Sequence, residues 1–194
     1  SVSPAALVAA AHMPQRCAAV ITESAQSAVE QRTLDGIRAA QAQFAQPGQL
    51  QRLREDRGLL PTAIEEFMRY DSPLQLFERT ATEDVEIGGV TVRRGQKIAA
   101  LLGAANRDPA VFVEPDSFDV GRADNPHITF GAGVHFCIGA PLARVELQAT
   151  FGALLDRATT FELGGDPERR PEFVIRGLRT LPVVLGRATA PSGS

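Results

Sequence analysis

The ten residues Phe130 to Gly139, F-G-A-G-V-H-F-C-I-G, constrain this chain more than any other stretch. They set Phe130, Gly133, His135, Cys137 and Gly139 in the frame F-x-x-G-x-H-x-C-x-G. At average amino-acid usage that coincidence is on the order of 10⁻⁷ per window. Ala140 to Arg157 follows as the clearest helical pattern, with Pro141 in its first turn and Leu147, Phe151, Leu154 and Leu155 on one face. Any fold of this segment must therefore hold a lone cysteine on a glycine-rich turn at a helix N-terminus. A free thiol has a pKa of roughly 8.5, and unpaired N–H groups at a helix start lower it. Gly133 and Gly139 are expected to allow tight turns and to clear side chains from one side of the loop. The loop is thus shaped to present a thiolate to something flat. The competing reading makes Cys137 a buried core residue and His135 a satisfied loop histidine.

At 194 residues the chain can bury a core as one domain or two small ones. A formal charge of −3 supplies no basic field for nucleic acid or an anionic membrane. No apolar run approaches the ~20 residues of a membrane span. The opening SVSPAALVAAAHMP is short and lacks a basic region, so it makes a poor signal peptide. Cys17 and Cys137 form no C-x-x-C pair, which argues against zinc ribbons, dithiol redox centres and covalently attached c-type haem. A Cys17–Cys137 disulfide is the alternative to two thiols. A reducing, cytoplasmic setting fits the surroundings of Cys137 better.

Along the chain, about Pro4 to Phe44 reads as helical, and Pro47-Gly48 breaks that run. Gln49 to Asp56 reads as a short helix with Leu50 and Leu53 on one face, and Thr62 to Tyr70 as a helix with Ile64, Phe67 and Met68 on one side. The latter ends before Ser72-Pro73, because a residue preceding proline avoids the helical region. From Leu74 to Leu102 the period changes to two, with a hairpin signal at Gly88-Gly89. Asn106-Arg107-Asp108-Pro109 reads as a turn and Pro115 to Arg122 as a loop. Phe173 to Leu185 reads as short terminal strands, and 188–194 as a frayed, flexible tail.

The stretch around Cys137 resembles the cysteine-ligand loop of the cytochrome P-450 superfamily, the haem-thiolate monooxygenases. Asn125 to Phe130 before it and Ala140 to Glu146 after it resemble the soluble bacterial branch. The resemblance implies that Cys137 is the axial ligand of a haem b iron. It places Phe130, Gly131, His135, Gly139 and Ala143 in contact with that cofactor. Glu66-Phe67-Met68-Arg69 matches the family's E-x-x-R, whose buried pair is joined by a third group from the loop before the haem motif. Arg122 takes that role here, in a structural network. Phe77-Glu78-Arg79-Thr80-Ala81 resembles the opening of the family's β-domain, and Arg79 matches the residue that pairs with a haem propionate. An exposed strand-edge arginine is the alternative. Leu74, Gln75, Leu76 and Phe77 then face the substrate pocket, with Arg179 near it; core packing is the alternative for the apolar members.

The resemblance runs nearly continuously from Pro47 to about Val184 and weakens upstream. Counting back by the family's spacing puts the oxygen-binding helix's acid-alcohol pair at Glu30-Gln31, so Glu30 is the candidate catalytic acid and Gln31 stands where a threonine belongs. A surface helix is the bland reading of Glu30. The expected fold is mainly α with small β-sheets (α+β), the C-terminal portion of a cytochrome P-450 fold. The expected divisions are a degenerate helical region over 1–46, a haem-thiolate region over 47–187 and a tail over 188–194. The implied function is insertion of one oxygen atom from dioxygen into a small hydrophobic organic substrate. A ferredoxin or flavodoxin-type donor supplies the electrons, and the chain is expected to be truncated. The rivals are a degenerate relic of the family that catalyses nothing and a domain that uses the fold for interaction only.

Overall fold

The computed structural model describes residues 47–172 and 174–187. The expected helix over 4–44, Cys17, Glu30, Phe173 and the 188–194 tail lie outside the described residues.

Helix α1 (Pro47–Glu55) is followed by a 3₁₀ turn (Arg57–Leu59) and helix α2 (Leu60–Tyr70). Pro47 and Gly48 open α1 instead of preceding it. Proline is preorganised for a first helical turn, where its missing N–H costs nothing. Asp56 caps the 3₁₀ turn, its carboxylate accepting from the Gly58 N–H at 2.8 Å. Pro61 sits in the first turn of α2, which therefore starts two residues before the expected Thr62.

Strand β1 (Phe77–Thr80) pairs antiparallel with β4 (Lys97–Ala100). Between them β2 (Val85–Ile87) and β3 (Val90–Val92) form the expected hairpin. Its turn residues Gly88 and Gly89 have φ of 59° and 78°, the paired positive values of a two-residue turn that matches strand twist. The short helix α3 (Leu102–Ala105) begins a long irregular stretch that ends at helix α4 (Ala140–Arg157). Strand β5 (Ala158–Leu163) then pairs with β8 (Val183–Arg187), and β6 (Glu168–Arg169) with β7 (Leu178–Thr180). Helices with four two-stranded antiparallel sheets match the expected α+β class.

The core forms where α2 crosses α4. Ile64, Phe67 and Met68 meet Leu147, Phe151 and Leu155, with Leu50 and Leu53 of α1 and Phe118 and Val120 of the long loop closing the cluster. Phe67 is its hub: its ring stacks on Phe118 at 5.4 Å and tilts against Phe151 at 5.0 Å. Ala140, Ala143, Leu147, Phe151 and Leu155 form the buried stripe of α4, so the helix that follows Cys137 is anchored along its length.

Candidate functional site

The cysteine loop is a succession of tight turns between the core and α4. Gly131 and Gly133 have φ of 73° and 66°, a region that side chains with a Cβ rarely enter. The Gly131 N–H donates to the Ile128 carbonyl at 2.8 Å, and a 3₁₀ turn covers Gly133–His135. The Cys137 N–H donates back to the Phe130 carbonyl at 2.9 Å, and its own carbonyl accepts from the Ala140 N–H at 3.1 Å. Cys137 is a half-buried free thiol. Gly139 lies in the turn that the Ala140 bond closes, as expected, although its φ of −82° would suit any residue. Its missing side chain also opens the space beside the sulfur, where a Cβ would lie 3.7 Å from Sγ. Val134 and Ile138, on either side of the cysteine, are 93% and 98% exposed, so the loop offers an apolar surface around the thiol. His135 is half-buried within the same loop, and Ala143 is buried one turn into α4.

The structure brings Glu66, Arg69 and Arg122 together, as the resemblance implied. Glu66 and Arg69 are fully buried and make a two-pronged pair, Nε to Oε2 at 2.7 Å and Nη2 to Oε1 at 2.8 Å. Arg122 Nε reaches Glu66 Oε2 at 3.1 Å, and the Asp119 N–H donates to Oε1 at 2.9 Å. Arg69 uses its remaining donors on the carbonyls of Asn106, Pro115 and Ser117. A buried charge pair of this kind is held by complete hydrogen bonding on both sides.

Two clusters around the loop went unread in the sequence. The expected turn residue Asn106 is buried. Its Nδ2 donates to Ser72 Oγ at 2.6 Å and Thr129 Oγ1 at 2.9 Å, and its Oδ1 accepts from the Ile128 N–H at 2.8 Å. It therefore ties the end of α2 to the chain entering the cysteine loop. The second cluster centres on Glu65. Arg144 of α4 grips the Glu65 carboxylate through Nε at 2.6 Å and Nη2 at 2.7 Å, while His127 Nε2 lies 2.9 Å from Oε2. Burial pushes the Glu65 carboxyl up, but hydrogen bonds from Arg144 and His127, with their charges, outweigh it and hold the group at about 2. The Arg144 guanidinium also lies 4.7 Å from the centre of the Phe130 ring. An acidic residue next to the E-x-x-R glutamate, with a basic residue seven positions past the cysteine, was the available signal.

Arg79 stands on β1, partly buried, with its guanidinium 5.7 Å from the Phe77 ring. Its Nη1 donates to the Glu78 carbonyl, whereas Nε and Nη2 are sealed from solvent without a partner. That desolvation lowers its pKa. Nε and Nη2 form the edge of the guanidinium that receives a carboxylate with two parallel bonds. Leu74 to Phe77 are half-buried, and the 73–75 segment lies against 174–176 through a Leu74–Ile175 bridge and the Gln75 N–H to Val174 carbonyl bond of 2.9 Å. The Gln75 amide donates to the Ser72 carbonyl, over a spot that Gly103 leaves open. Arg179 is exposed on β7 and reaches Glu168 at 3.3 Å.

Residues 31–182 match the cytochrome P-450 family. The chain is 49% identical over 140 residues to a biotin biosynthesis cytochrome P-450 of Bacillus subtilis, covering 72% of this chain and 35% of that protein. It is 40% identical over 169 residues to CYP199A2 of Rhodopseudomonas palustris, covering 87% and 41% of the two chains. The chain thus spans well under half the length of these relatives. Among solved structures, CYP109E1 from Bacillus megaterium in complex with testosterone superposes with a TM-score of 0.80 at 30% identity, over 84% of this chain and 45% of that one. A cytochrome P-450 in complex with an acyl carrier protein ligated with hexadec-9Z-enoic acid superposes with a TM-score of 0.78 at 44% identity, over 80% and 41% of the two chains.

Proposed function

The chain belongs to the cytochrome P-450 family, and from that premise we propose that it carries the haem-thiolate portion of a monooxygenase. The reaction inserts one oxygen atom from dioxygen into a small hydrophobic organic substrate, with electrons from a ferredoxin or flavodoxin-type partner. The observation that carries this reading is the turn geometry that holds Cys137 at the start of α4 amid exposed Val134 and Ile138. Haem b, the cofactor of this family, supplies when bound an iron at which dioxygen is activated.

The residues present fit that group. Cys137 is a half-buried free thiol on the turn that leads into α4, and its sulfur would hold the haem iron. The unpaired Nε and Nη2 of Arg79 match a haem propionate in charge and shape. His135 is a second candidate donor to such a carboxylate, and Phe130, Gly131, Gly139 and Ala143 border the cofactor. Leu74, Leu76 and Phe77 supply apolar substrate contacts and Gln75 a polar one, with Arg179 at the periphery. Glu30 is proposed as the acid that delivers protons. The hydrophobic ligands named for the two structural relatives, hexadec-9Z-enoic acid and testosterone, favour an apolar substrate. The haem-loaded chain, supplied with an electron donor and a long-chain fatty acid, is expected to place one atom from labelled dioxygen in the product. A product whose oxygen comes from water would contradict the proposal.

A further inference from the structure

The Glu65 cluster lies against the cysteine loop without belonging to the proposed cofactor contacts. Arg144 bridges two features. One edge of its guanidinium is held by Glu65 in two hydrogen bonds, at 2.6 and 2.7 Å. Its carbon lies 4.7 Å from the centre of the Phe130 ring, and the Phe130 carbonyl accepts from the Cys137 N–H at 2.9 Å. Glu65 also meets almost wholly buried His127, three residues ahead of Phe130. So α2, α4 and the loop entrance converge on one carboxylate, and the cation it holds lies over the residue whose carbonyl accepts from the Cys137 N–H.

We propose that Glu65 and Arg144 are an electrostatic positioning pair for the axial sulfur: Arg144 places positive charge behind Cys137 and Glu65 limits how much of it the sulfur feels. This rests on the reading of Cys137 as haem ligand. The hydrogen bonds and negative charge of Glu65 raise the Arg144 pKa against the opposing effect of burial, so the pair is held as two charges. The charges are at most one-third exposed, so water screens them incompletely. A stronger field at the sulfur withdraws electron density from it and favours the reduced iron. A weaker field does the opposite.

The pair makes a prediction that simple structural support does not. In the haem-loaded chain, Glu65→Gln leaves Arg144 uncompensated and is expected to raise the iron midpoint potential. Arg144→Gln leaves the Glu65 carboxylate behind the loop and is expected to lower it. The double variant is expected to return close to the parent value. Shifts of the same sign, or no shifts, with a long-wavelength ferrous carbon monoxide band intact, would overturn the pairing. Absence of that band in the parent would instead sink the ligand assignment on which the pairing rests, so the two failures are distinct. Should either neutral variant fail to load haem, Arg144→Lys decides. It keeps the charge and gives up the two-pronged grip, so an unchanged potential supports electrostatic control and a fall contradicts it.

Discussion

At the scale of single residues, the network joining α2 to the long loop depends on charges with no access to water. Glu66 and Arg69 are both fully buried, and Glu66 also receives Arg122 and the Asp119 N–H. Glu66→Ala leaves two guanidinium groups facing a void and is expected to cost about 3–5 kcal/mol in denaturant unfolding. Asn106→Ala strands the Ile128 N–H and removes the donor shared by Ser72 and Thr129. A loss of about 2–3 kcal/mol by the same measurement is expected. The two sites were unequally legible. Glu66 and Arg69 stand three apart on a recognisable helix, and Arg122 was the basic residue of the expected loop. Asn106 sits in Asn-Arg-Asp-Pro, whose local chemistry reads as a turn. Its burial is decided by Ser72 and Thr129, 34 and 23 positions away.

Among elements, the contact of α2 with α4 sets where the cysteine loop can go. Its apolar part was legible, because Ile64, Phe67 and Met68 and the Leu147–Phe151–Leu155 stripe follow helical spacing. Strand β5 was not, because its residues gain their order from β8, whose partners for Leu163 and Ala158 are Val183 and Arg187. The polar part of the helix contact is the Glu65–Arg144–His127 cluster, and it carries a pH signature. The Glu65 carboxyl lies at about 2 against an ordinary 4.5. The folded value is the lower one, so the stabilisation is complete above about pH 4.5 and is lost as the pH falls toward 2. Its size is on the order of 3 kcal/mol at most, since Glu65 is partly exposed. Urea unfolding across that window is expected to show a shallower acid loss in Glu65→Gln than in the parent. Equal slopes would mean that Glu65 is not the group responsible.

For the whole molecule, β1 and the cysteine loop are far apart in sequence, and the proposed cofactor is what would engage both. Arg79 on β1 keeps two buried donors unpaired, a state that costs free energy unless a carboxylate meets them. Arg79→Leu is therefore expected to weaken haem retention by about tenfold to a hundredfold, a loss of about 1.5–3 kcal/mol, read by transfer of haem to an acceptor protein. The cysteine frame singled out Cys137 as the proposed ligand from sequence. The apolar surface of Val134 and Ile138 around it emerged only when the turns were folded. These threads meet in the identity of the iron's sulfur ligand. The haem-loaded chain should be reduced, exposed to carbon monoxide and compared with Cys137→Ala. A Soret band at the long wavelength typical of thiolate ligation, lost in the variant, is the predicted result. A short-wavelength band in the parent, or a long-wavelength band that survives the substitution, would contradict it.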